Sequence, residues 1–240
     1  MLRWSGNGVV WFWPWKRMDG WKTVGLGMSD EAGEVWPEEW MPDREGFDRY
    51  LEDTIVIDWQ TPAVLERARE FGRVFEGAEE RARAAFLFVR DEISQSLDDG
   101  TDALPCSASQ VLKAGTGLSY GKSHLLAALL RAGGAPVGFG YQRIADPGTL
   151  TGYALHGFVV VWFSSLDRWI ALDARGNTPS LQSEFGLGDR PDFAHAPRPA
   201  DNEVVFPVVL ARPLKSVVDL LDRGESLNRV RRHLPTDLGP

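Results

Sequence analysis

Gly115-Thr116-Gly117-Leu118-Ser119-Tyr120-Gly121-Lys122-Ser123-His124-Leu125-Leu126 closes one helix and opens another. The Gly-Thr-Gly turn stops a short helix over Ser107 to Lys113, and a longer helix then runs from near Ser119 to Arg131, where Gly133-Gly134 ends it. Its apolar residues Leu125, Leu126, Ala128, Leu129 and Ala132 cover much of the circumference, which predicts a central helix buried on several sides. Ser119 heads this helix, where the positive end of the macrodipole and unpaired backbone N–H groups stabilise an anion. A serine there also suits a plain helix cap.

Upstream, the pattern is helical. A short extended stretch at Thr54-Ile55-Val56-Ile57 leads to Thr61-Pro62, an N-cap and N1 pair, and a helix to about Val74. A second helix is predicted over Ala78 to Ile93, with Ala82, Ala85, Phe86, Val89 and Ile93 on one stripe. Downstream, the pattern turns to strands at Val137 to Ile144, Tyr153 to Phe163, Arg168 to Asp173 and Val204 to Leu210. The 153–163 strand is apolar on both faces and belongs inside the sheet. A Pro- and Gly-rich loop spans Thr178 to Asn202, and short helices over Leu214 to Leu221 and Leu227 to His233 close the chain. Helices first and strands afterwards is an α+β plan with an antiparallel sheet.

His156 lies in the long strand between Leu155 and Phe158, where an imidazole needs a polar partner. Such a histidine is more often a satisfied core residue than a catalyst, but the hairpin supplies a partner. If Phe163 pairs with Arg168, Phe158 lies opposite Asp173 and His156 is two residues away on the same face; a two-residue turn would put His156 directly across from Asp173. Asp173 can then hold the imidazole and fix its tautomer. A salt bridge from Asp173 to Arg175 is the competing reading. His124 points away from Ser119 on the same helix, and His195 and His233 have no matching strand context.

These stretches resemble the bacterial transglutaminase-like proteins. The resemblance rests on 115–126, on Leu155-His156-Gly157 and on Leu172-Asp173-Ala174-Arg175-Gly176-Asn177. It extends from about Asp53 to Leu238 through Leu104-Pro105-Cys106-Ser107-Ala108-Ser109, Tyr141-Gln142-Arg143 and Leu234-Pro235-Thr236-Asp237-Leu238. It implies a papain-like core whose Cys-His-Asp triad transfers acyl groups or hydrolyses amides, with no cofactor or metal. Carried over by position, His156 and Asp173 match, and Ser119 stands where the family has its cysteine. Gly121 stands where the family usually has Ala. Gln142 and Tyr120 are the tentative oxyanion or substrate donors.

A thiol can be ionised by an imidazolium and a helix terminus, whereas an alcohol must lose its proton during attack. Three readings of Ser119 follow: an inactivating change, engineered or natural, in a thiol enzyme; a binding protein on a retired scaffold; or a working serine site with His156 and Asp173. The first two are favoured. Gly117-Leu118-Ser119-Tyr120-Gly121 also fits the G-x-S-x-G elbow of serine hydrolases, but the preceding residues read as helix, not strand, and the order Ser, His, Asp is wrong for that fold.

Composition narrows the partners. Ten acidic residues against two arginines between Asp30 and Asp53 carry the whole net charge of −8, and the rest of the 240 residues is balanced. Without a basic patch, nucleic acid is excluded as a partner; a peptide, amide or thioester acyl substrate is expected. The single cysteine, Cys106, permits no intrachain disulfide, which fits a cytoplasmic setting, and it is expected to be a small buried apolar residue. No apolar run is long enough for a membrane span. Residues 1–46 are read as an acidic, Trp-rich extension and 47–240 as the domain. The run Val9 to Trp15 is short and interrupted by Pro14, which argues against a secretion signal; interfacial membrane contact through the tryptophans is a minority reading, and the extension is expected to pack on the domain or to precede a true start at Met18 or Met28.

Overall fold

The structure is a computed structural model that describes residues 36–239. The candidate starts, the 9–15 run and five of the tryptophans fall outside the described residues.

In chain order the strands are β1 (Met41–Pro42), β2 (Ser94–Gln95), β3 (Thr116–Gly117), β4 (Val137–Ala145), β5 (Tyr153–Phe163), β6 (Arg168–Leu172), β7 (Val204–Val205) and β8 (Val208–Val209). The helices are α1 (Pro62–Val74), α2 (Ala78–Glu92), α3 (Ser96–Asp99), α4 (Ala108–Ala114), α5 (Ser119–Ala132), α6 (Lys215–Asp222) and α7 (Leu227–Arg232). A four-stranded antiparallel sheet runs in the order β6-β5-β4-β7, with β5 in its interior as its two apolar faces require. The fold is the expected mix of helices followed by an antiparallel sheet.

Two local expectations are corrected and a third is refined. The stretch from Thr54 to Ile57 forms no strand, and residues 55–57 are bends. Val204 to Leu210 is broken into β7 and β8 at Pro207, which lacks an N–H for a continuous ladder. Thr61 and Pro62 do take the N-cap and N1 places of α1, but the Thr61 hydroxyl donates to the Asp58 carbonyl at 2.8 Å and not into the helix. Residues 36–46, read as part of the extension, contribute to the body: Met41 and Pro42 pair with Val208 and Val209, and Trp40 packs edge-on against Phe158.

The sheet separates two apolar clusters. On one face Val159 and Val161 of β5 join Val137, Phe139 and Tyr141 of β4 in the main core with α5. On the other, Phe158 and Val160 pack with Tyr50, Phe193, Val205 and Val209. Every residue of α5 from Ser119 to Arg131 is buried. Its polar side chains are tied to carbonyls of surrounding segments. His124 Nδ1 meets the Cys106 carbonyl at 2.7 Å, Lys122 Nζ donates to those of Ile93 and Arg90, and Arg131 donates to those of Val137, Ala211 and Glu52.

Burial lowers the Lys122 amine to about 7 and the His124 imidazole to about 4. A neutral amine still carries two N–H groups, enough for two carbonyls. Both folded values lie below the unfolded ones, so the unfolded chain binds more protons in between and stability climbs with pH there. For Lys122 the climb starts near pH 7, at up to about 1.4 kcal/mol per pH unit. Lys122→Met is expected to flatten the wild-type curve between about pH 7 and 8.5 in urea titrations; parallel curves would refute the assignment.

Gly121 has a structural explanation. A Cβ there would lie 2.9 Å from the Pro105 carbonyl oxygen and 3.0 Å from a Val111 methyl, so α5 and the 105–111 segment approach more closely than an alanine permits. Gly121→Ala is expected to lower the urea midpoint, by about 1–3 kcal/mol of stability, because the obstructing atom belongs to the backbone.

Candidate active site

The hairpin sets the geometry. Phe163 pairs with Arg168 and Val159 with Leu172, the register in which Asp173 follows one residue beyond the ladder, opposite Phe158. Asp173 Oδ2 accepts from His156 Nε2 at 3.0 Å, with both side chains buried. Asp173 is held on two further sides: Oδ2 accepts the Ala194 N–H at 3.0 Å and Oδ1 accepts the Arg175 N–H at 3.1 Å. Burial works to raise this carboxyl, but its pairing with His156 and the two backbone donors outweigh it and hold Asp173 below the usual carboxylate range. The Arg175 guanidinium turns away and pairs with Asp98 at 2.8 and 2.9 Å, so the competing salt bridge to Asp173 does not form. The carboxylate fixes His156 with its proton on Nε2. Nδ1 then has a free lone pair, and it has no hydrogen-bond partner among the described residues.

The position of α5 follows from the strand edge. Trp162 N–H donates to Pro136 just before β4, so even-numbered residues of β5 turn their backbone groups to β4 and odd-numbered ones to β6. Because β6 stops at Leu172, the Leu155 and Gly157 carbonyls lie on an open edge. The Tyr120 hydroxyl donates to the first and the Ser123 hydroxyl to the second, at 3.2 Å. Side chains at the start of α5 thus grip the carbonyls on either side of His156. Gly157 permits the approach, since a Cβ there would meet the Tyr120 ring at 2.8 Å.

Ser119 is one turn ahead of Ser123 on α5. The N-cap is Leu118, so Ser119 is the first helical residue, and its hydroxyl makes no capping bond. Among the described residues that hydroxyl has no hydrogen-bond partner, His156 included. The plain-cap reading of this serine is therefore set aside.

The two tentative donors both have partners inside the fold. The Gln142 amide donates to the His195 carbonyl at 3.1 Å and the residue is fully buried; the Tyr120 hydroxyl is committed to Leu155. The single proton of the Tyr120 hydroxyl is taken by Leu155, whereas the Gln142 amide keeps a second N–H beyond the one given to His195. Gln142 is also the residue directly across from His156 in the β4–β5 ladder. Sequence reasoning passed over His195, whose ring lies 5.2 Å from that of His156 at 65°. It also missed Gln95, buried beside Gly117 in the β2–β3 pair with its side-chain oxygen unpartnered. His124 and Cys106 lie elsewhere in the core, as expected; burial and Asp222 push the Cys106 thiol up to about 12.

Residues 67–174 match the family model of the transglutaminase-like superfamily. The matched span contains Ser119, His156 and Asp173. Among solved structures, a candidate cysteine protease from Cytophaga hutchinsonii is similar over 55% of this chain and 43% of its own, at 18% identity and a TM-score of 0.43. The periplasmic domain of TgpA from Pseudomonas aeruginosa is similar over 52% of this chain and 45% of its own, at 19% identity and a TM-score of 0.39. The chain spans less than half the length of either structure it matches. No curated protein matches it.

Proposed function

We propose that this chain is a transglutaminase-like acyl-transfer or amide-hydrolysing protein in which Ser119 holds the nucleophile position, His156 is the base and Asp173 orients it. The observation that carries the reading is the buried 3.0 Å His156–Asp173 bond on a strand segment gripped by the first turn of α5. In this arrangement His156 Nδ1 accepts the nucleophile's proton, the attacking atom adds to an acyl carbon, and the proton passes to the leaving amine or thiolate. Unpaired N–H groups at the head of α5 face the developing oxyanion. With an alcohol in place of a thiol, the proton must leave during attack, so acyl transfer is slow in the chain as written. The substrate class is a peptide, a side-chain amide or a thioester.

Intact-mass analysis of Ser119→Cys with a small panel of amides and thioesters tests this. An acyl adduct on residue 119 that disappears in Ser119→Cys/His156→Ala is the expected result. No adduct from any donor would move the reading to a non-catalytic binding scaffold. Labelling of the native chain at Ser119 by a fluorophosphonate would show instead that the serine itself is active.

A further inference from the structure

The loop between β6 and β7 meets the His156–Asp173 pair at two successive residues, Ala194 and His195, just after an anchor at Phe193. Phe193 anchors it, with its ring 4.5 Å from Phe158 and 4.9 Å from Trp36 in an edge contact. Ala194 N–H donates to Asp173 Oδ2 at 3.0 Å, on the same oxygen that holds His156. His195 lays its ring against the His156 ring, and its carbonyl is fixed by the Gln142 amide at 3.1 Å. Gln142 is itself the ladder partner of His156, so the clamp closes on the histidine from both sides of its own strand pair. Pro191, Pro197 and Pro199 limit the loop's freedom in the unfolded chain and lower the cost of ordering it. Downstream, Arg198 and Glu203 pair through the Arg198 N–H at 2.9 Å and its guanidinium at 2.7 Å.

We infer that His195 is a positioning residue of this site, a neutral aromatic wall that keeps the His156 ring in the plane where Asp173 holds Nε2 and Nδ1 stays directed at the nucleophile position. The inference rests on the function proposed above and extends it to a residue outside the triad. A ring is needed at this place because Asp173 constrains one nitrogen only, and an imidazole pinned at one atom can still swing about that bond. Neutrality is needed because a second imidazolium would oppose the His156 charge that forms in each cycle. The groups facing His195 are His156 on β5, Asp173 and Arg175 after β6, and Glu203 ahead of β7. Burial first, then His156 and Arg175, lower its imidazole to about 4 against the opposing pull of Asp173 and Glu203, so it stays uncharged at neutral pH.

The test has two arms. In the native chain, the ring ¹⁵N shifts of His156 are expected to report a single Nε2–H tautomer; His195→Ala mixes the tautomers, and His195→Phe restores one. In the Ser119→Cys background, His195→Ala is expected to slow alkylation of residue 119 at pH 5 about tenfold, and His195→Phe to recover most of the rate. An unchanged tautomer in His195→Ala, or a loss that His195→Phe fails to recover, overturns the inference. If alkylation proves independent of His156, the proposed function fails, while the tautomer arm still decides what His195 does.

Discussion

Ser119→Cys is expected to react with iodoacetamide at pH 5 about fortyfold faster than the same variant lacking His156. The pH matters because two effects nearly cancel at neutrality. A thiol brought from about 8.5 to about 5 by an imidazolium and a helix terminus holds about thirtyfold more thiolate at pH 7. Its intrinsic nucleophilicity falls about fortyfold over the same interval. Near pH 5 the ordinary thiol is almost wholly protonated, so the ionised one stands out. The only other cysteine, Cys106, is buried with its thiol pushed up to about 12 and stays silent, so the signal belongs to residue 119 alone. A rate that rises tenfold per pH unit up to pH 8 in both variants would show that His156 does not address this position.

Asp173→Ala is expected to cost about 3–5 kcal/mol in urea unfolding, the loss typical when one member of a buried pair is removed. Three donors lose their acceptor together: His156 Nε2 and the N–H groups of Ala194 and Arg175. Asp173→Asn does not escape the penalty, because its NH₂ must face a backbone N–H. Because the folded carboxyl is held low, its stabilisation is complete above the unfolded value near about 3.9 and fades as pH falls through the folded one. The wild type and Asp173→Ala should therefore converge in acid. A difference that stays constant down to pH 2 would contradict the assigned ionisation.

The residues that local pattern governs were legible in the sequence. α1 begins at Pro62 and ends at Val74, and α5 begins at Ser119, because prolines, glycines and apolar stripes act over a few residues. The hairpin between Phe163 and Arg168 left two registers open in the sequence, and both brought Asp173 within reach of His156; the fold takes the one that pairs Phe163 with Arg168. What could not be read depended on contacts across the chain. Gln142 and Tyr120 have suitable polar tips, but the carbonyls that claim them belong to His195 and Leu155, brought close only by the fold. His195 sits in a loop with no periodicity. Its one visible signal was a histidine between Pro191 and Pro197, where the backbone is stiff enough to place a ring reliably.

The open edge of β5 is closed from another quarter as well: the Leu155 N–H donates to the Pro235 carbonyl at 2.6 Å. The last residues of the chain are therefore a guard rail along the strand that bears His156. A version stopping at His233 would expose that rim, and bare rims recruit strands from neighbouring molecules. Its fault would first be seen as oligomers in light scattering, with the monomer that remains still properly assembled.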